Sequence, residues 1–214
     1  MCSSDLNPGD CLCITGEHRA SKSLLLQLIL AEKEPTSGKV TVDAVDLSSL
    51  PPHLLRLYRR NIGVMFGEEQ LVSDRSIASN IALALEARGD SPDAMAARVT
   101  ELLERIGLIE KLTFLPELLT QEEKHLVMFA QAVAHEPRIL LLLDPFEHLD
   151  PENKTIVLAL LQNAQKNGAT IVMTSSEPIF FSSLSQKTAY LKNGSFAEAS
   201  KKKTTSSIPS PSSA

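Results

Sequence analysis

Lys22 and Ser23 close the segment Gly16-Glu17-His18-Arg19-Ala20-Ser21-Lys22-Ser23, which lies between a short apolar run and a stretch of helical apolar spacing. In that setting a loop of the form G-x-x-x-x-G-K-[S/T] cradles phosphate. Backbone N–H groups converge at a helix N-terminus, the lysine supplies a point charge and the hydroxyl ligates magnesium. Lys22 and Ser23 keep the last two parts, whereas Ser21 stands where the pattern has a glycine and brings a side chain where backbone approaches phosphate. Taken alone, the loop leaves two readings open: a phosphate site, or an ordinary strand-turn-helix with a surface lysine.

A second candidate is Asp144, which ends the fully apolar run Ile139 to Leu143. That pattern marks a central parallel strand with a carboxylate at its carboxyl end, where function gathers in α/β proteins. His125, His135 and His148 fall on different elements with no ligand pair at helical spacing, so they are expected to be solvated side chains and not a metal site. Cys11 and Cys13 lie on one apolar strand and are expected to project from opposite faces as small apolar residues, outside any metal or disulfide. Arg56, Arg59 and Arg60 sit among acidic residues and are expected on a solvated helix face.

The elements that position these residues alternate. Cys11 to Thr15 reads as a strand, Ser21 to Glu32 as a helix, and Val40 to Val42 and Ile62 to Phe66 as strands. The middle of the chain, about 77–135, has a helical pattern, including an amphipathic helix from Pro92 to Ile106 that starts after Ser91 and stops at Gly107. Strands follow at Ile139 to Leu143, Thr170 to Thr174 and Thr188 to Lys192, with a helix from Glu152 to Asn167 and a final turn at Asn193-Gly194. This order implies an α/β sheet.

A length of 214 residues suits one domain, here expected over 1–198, and 43% hydrophobic with 22% charged residues is the composition of a packed globular chain. The Lys/Ser/Pro segment 199–214 has almost nothing to bury and is expected to be disordered. A formal charge of -5 argues against a nucleic-acid partner. No apolar run reaches membrane-spanning length and the start lacks a signal pattern, so a cytoplasmic protein that meets a membrane only through a partner is expected.

Longer stretches carry a resemblance. Pro8-Gly9-Asp10, Asn61-Ile62-Gly63-Val64-Met65-Phe66, Leu71, Asp74-Arg75-Ser76 and Asn80-Ile81-Ala82 are similar to the FtsE and LolD branch of ABC (ATP-binding cassette) proteins. Leu119 to Val133, Pro137, Pro145 and Leu149-Asp150-Pro151 align without gaps to that family's signature helix, Walker B strand and D-loop. The resemblance covers about 7–197. It implies a P-loop NTPase fold of the ABC type, with a mixed, mainly parallel sheet, a helical subdomain and, since the chain begins close before Gly16, a truncated N-terminal antiparallel β region.

The resemblance also assigns roles, and most positions depart from them. Gly16, Arg19, Ala20, Ser21, Lys22 and Ser23 occupy the nucleotide-binding loop, with Ser23 toward magnesium and Arg19 where the family has glycine. Leu143 and Asp144 occupy the places of the magnesium aspartate and the catalytic glutamate; a one-residue deletion would instead make Asp144 the magnesium ligand. Gly67 stands for the Q-loop glutamine and Ser176 for the switch histidine. Thr120, Gln121 and Glu122 replace the Ser-Gly-Gly of the signature, which puts a carboxylate toward a partner subunit's triphosphate. Asp150 is the D-loop aspartate, or simply the cap of the helix from Pro151.

The implied reading is a degenerate ATP-binding subunit, a pseudo-ATPase or regulatory partner of an FtsX-like or permease membrane subunit. It binds ATP and Mg2+ weakly or not at all and pairs as a homodimer or heterodimer. The alternatives are a weakly active ATPase or the degenerate half of a heterodimer, and a cytosolic interaction protein unlinked to transport.

Overall fold

The computed structural model describes residues 6–16, 19–67, 70–175, 184, 187–192 and 195–197; Ser176, the Asn193-Gly194 turn and the tail 199–214 lie outside them. At its centre is a six-stranded sheet in the order β4-β5-β6-β1-β7-β8. Its strands are β1 (Cys11–Gly16), β4 (Ile62–Met65), β5 (Ile139–Leu142), β6 (Thr170–Ser175), β7 (Lys187–Lys192) and β8 (Ser195–Ala197). The first five in sheet order run parallel and β8 pairs antiparallel with β7. Strands buried on both faces read as unbroken apolar runs, which is why Ile-Leu-Leu-Leu in β5 shows no alternation. A separate hairpin joins β2 (Thr41–Val42) to β3 (Val45–Asp46). Its turn residues Asp43 and Ala44 both have positive φ, the geometry that matches strand twist in a two-residue loop.

Two packed layers flank the sheet. One face carries Cys11, Cys13, Met65, Leu140, Leu142, Ile171 and Met173 toward the helices α3 (Ile77–Arg88), α4 (Pro92–Arg105), α5 (Gln121–Val133) and α6 (Pro151–Lys166). The other carries Leu12, Ile14, Leu141, Leu143 and Val172 against Leu26 and Leu30 near the end of α1 (Arg19–Ile29). Cys11 and Cys13 therefore share one face. Side chains two residues apart on a strand point the same way, which corrects the expectation that they diverge. Burial pushes both thiols up to about 12, so they stay protonated.

The helix boundaries follow their caps. Ser76, Ser91, Thr120 and Asp150 each accept a hydrogen bond from a backbone N–H one turn into α3, α4, α5 and α6. The end of α1 is closed differently: Tyr58 on α2 (Pro52–Arg59) donates its hydroxyl to Ile29 O, and Arg59 donates to Leu30 O and Ala31 O. Arg59 thus clasps the carbonyl end of α1, where a cation is favoured, and is not the purely solvated side chain expected.

Candidate functional site

The site is built where the carboxyl ends of β5, β6 and β1 meet the start of α1, the crevice in which open α/β sheets bind ligands. β1 leads into Gly16, whose missing side chain is required, because a Cβ there would overlap the carbonyl oxygen of Leu191 on β7. Arg19, Ala20 and Ser21 form the first turn of α1, and only their backbone is described.

Lys22 is 2% exposed, which removes the surface-lysine reading. Its Nζ lies 3.3 Å from Asp144 Oδ1. Thr174 on β6 holds that carboxylate in turn: its hydroxyl donates to Asp144 Oδ1 (3.2 Å) and accepts from the Asp144 backbone N–H (3.0 Å). Asp144 has φ +49 and precedes Pro145, a pairing of left-handed backbone with proline that a side chain tolerates only under strong local restraint. Leu143, by contrast, is buried in the α1-side layer with Ile14, Leu26 and Val172. Ser23 is half-buried on α1 directly after Lys22.

Of the positions tied to magnesium by resemblance, Leu143 offers hydrocarbon, the Asp144 carboxylate meets Lys22 and Thr174, and Ser23 keeps its hydroxyl. Among the described residues, no group of three or more His, Cys, Asp or Glu could hold a metal ion.

Gly67 faces open space and contributes no side chain. The glutamine that does act in this region is Gln70, which the sequence analysis passed over. Its side chain accepts from Phe66 N (3.2 Å) and donates to Val64 O (2.7 Å) and to Gln131 on α5 (3.2 Å). The available signal was a glutamine three residues after the expected position. Gln70, Phe66 and Arg59 line an open groove of about 850 Å³ whose lining includes none of Lys22, Ser23, Asp144 and Thr174.

Thr120 and Glu123 form a capping box at the start of α5, and Lys111 ion-pairs with Glu123. Gln121 is the first, exposed residue of that helix. Glu122 departs from expectation. Its Oε1 accepts from the Asp150 backbone N–H (2.7 Å) and from Asn153 Nδ2 (2.9 Å), so within this chain the carboxylate is bound at the start of α6 and not left for an opposing triphosphate. Asp150 caps α6 by accepting from Asn153 N.

Two of the three histidines are a further correction. His125 and His135 are buried at 6% and 8% exposure, and burial holds both below the usual imidazole range. His148 is exposed and its ring meets that of His125 edge-on at 6.2 Å.

A family model described as "ABC transporter" matches residues 1–147. "Methionine import ATP-binding protein MetN 2" of Shouchella clausii is 36% identical over 191 residues, covering 89% of this chain and 56% of that protein. "Methionine import ATP-binding protein MetN" of Streptococcus agalactiae is 35% identical over 201 residues, covering 90% and 56%. The chain thus spans little more than half the length of these relatives. A solved dimeric, post-hydrolysis state of an ATP-binding cassette bound to ADP and Pi superposes with a TM-score of 0.82 at 25% identity, covering 89% of this chain and 84% of that one. These relatives are named for methionine import, so the likeness is to the cassette broadly and not specifically to the FtsE and LolD branch.

Proposed function

Because the chain belongs to the ABC transporter family of ATP-binding proteins, we propose that it acts as the ATP-binding-type subunit of a membrane transporter whose own hydrolytic centre is disabled. The observation that carries this reading is the end of β5. Leu143 puts hydrocarbon where the family places its magnesium ligand, and the adjacent Asp144 spends its charge on Lys22. Phosphoryl transfer is catalysed almost wholly by positioning and electrostatics, so losing a metal ligand and engaging the lysine removes most of the available acceleration. Gly67, and Ser176 at the switch position, add two missing phosphate sensors.

In this reading Lys22 and the turn Arg19-Ala20-Ser21 retain weak phosphate affinity, with Ser23 the remaining oxygen toward Mg2+. The domain is 1–198 with its helical lobe at about 77–135. The subunit pairs with a second copy or an active paralogue and sits peripherally at the inner face of the membrane through a permease or FtsX-like partner. The relatives' names favour an importer permease, and methionine as its cargo. No helix among the described residues is long and apolar enough to cross a membrane, which is consistent with attachment through a partner.

The purified protein is expected to show no ATP turnover above background. Turnover that disappears in Lys22→Ala would overturn the proposal. Co-purification with a membrane permease tests the partner, and recovery of none would remove it. A second reading, the degenerate half of a heterodimer, draws on the intact Asp150 cap at the D-loop position. It predicts ATP binding only after an active paralogue is added, as read by calorimetry.

A further inference from the structure

We infer that Asp144 is a built-in counter-anion that occupies the charge of Lys22, so that a nucleotide phosphate must displace a resident carboxylate before it can bind. This rests on the proposed function and names the regulation of the same site.

Three observations converge on the pair. Lys22 and Asp144 are both withdrawn from water, at 2% and 8% side-chain exposure, and a buried ammonium needs an opposing charge at short range. The carboxylate is aimed rather than merely nearby. Thr174, itself fully buried, donates to the oxygen that faces Lys22 and ties down the Asp144 backbone N–H. Finally, Asp144 keeps a left-handed backbone before a proline, a conformation that persists only where surrounding contacts over-determine it. The ion pair and the Thr174 bonds are contacts of that kind.

The consequence is competitive. A triphosphate approaching the start of α1 finds the lysine neutralised and meets a fixed negative charge beside it. Replacing the carboxylate by its neutral isostere keeps the shape and the bond from Thr174 but frees the ammonium, which then requires an external anion.

The test measures ATP and inorganic tripolyphosphate binding to the full chain by calorimetry and thermal shift in EDTA, so that no metal enters the readout. Asp144→Asn is expected to unfold at lower temperature than wild type without ligand. It is also expected to bind both anions about tenfold tighter or more, recovering the lost melting temperature. Adding Lys22→Met to Asp144→Asn is expected to abolish the gain. A folded Asp144→Asn protein with wild-type affinity overturns the inference. Should Asp144→Asn not fold, Thr174→Val, which loosens the carboxylate, must show a gain in the same direction, and no gain overturns it equally. Equal affinities with no wild-type turnover sink only this inference, whereas wild-type turnover lost in Lys22→Ala sinks the proposed function as well.

Discussion

Glu122 belongs to the opening turn of α5 by sequence and to the opening turn of α6 by contact, since Asp150 N and Asn153 Nδ2 both donate to its carboxylate. Glu122→Ala leaves those donors without their acceptor and is expected to cost about 1–2 kcal/mol in urea denaturation. The buried histidines give a pH signature. His125 and His135 have folded-state pKa values depressed by burial, so the unfolded chain binds their protons first as pH drops. Their contribution is complete above about pH 6.5 and falls below it by about 1.4 kcal/mol per pH unit per histidine until the folded-state value is reached. His125→Leu is expected to flatten the fall in melting temperature between pH 7 and 5. The lowered pKa of Asp90, caused by its hydrogen bond with Arg88, acts in a separate window below the ordinary carboxylate range. Lys22, Ser23 and Asp144 could be singled out from motif spacing. The target of Glu122 could not, because it depends on how α5 and α6 pack.

At the scale of elements, β4 and α5 approach closely at Gly63. A Cβ on Gly63 would overlap the Ala132 carbonyl oxygen and stand 2.7 Å from Leu140 Cδ2 and 2.8 Å from Pro137 Cγ. Gly63→Ala is accordingly expected to destabilise by about 3 kcal/mol, a fall of roughly 6–12 °C in melting temperature. If the melting temperature is unchanged, β4 does not lie this close to α5. Element positions were largely readable because their signals are local: Ser91-Pro92 opens α4, Gly107 follows its end with positive φ, and Asp150-Pro151 opens α6. His125 and His135 misled because their surroundings come from distant segments, whereas His148 is exposed as expected. Gln70 was invisible for a related reason, as its role is to bond a strand edge that exists only once the sheet has formed.

For the whole molecule, alternating helices and apolar strands pointed to a mainly parallel α/β sheet, and the sheet has that character. Strand order is a matter of crossovers, and no residue pattern announced that β1 would lie between β6 and β7. Closure of two cassettes on shared nucleotide requires ligand at the interface, and here Lys22 is already paired with Asp144. Sedimentation velocity with excess MgATP is therefore expected to show the same species as without it. A nucleotide-dependent dimer would contradict the inference that Asp144 already occupies the charge of Lys22.

The outer rim of β4 has a further consequence. Asn61 and Met65 direct their carbonyls at β5, so Val64 and Phe66 point outward, and one primary amide answers both of them. Gln70 there counterfeits the N–H and C=O that one residue of an adjoining parallel strand would present. A foreign chain seeking to extend the sheet would find that rung already taken, which makes the glutamine a guard against edge-to-edge polymerisation as well as a brace.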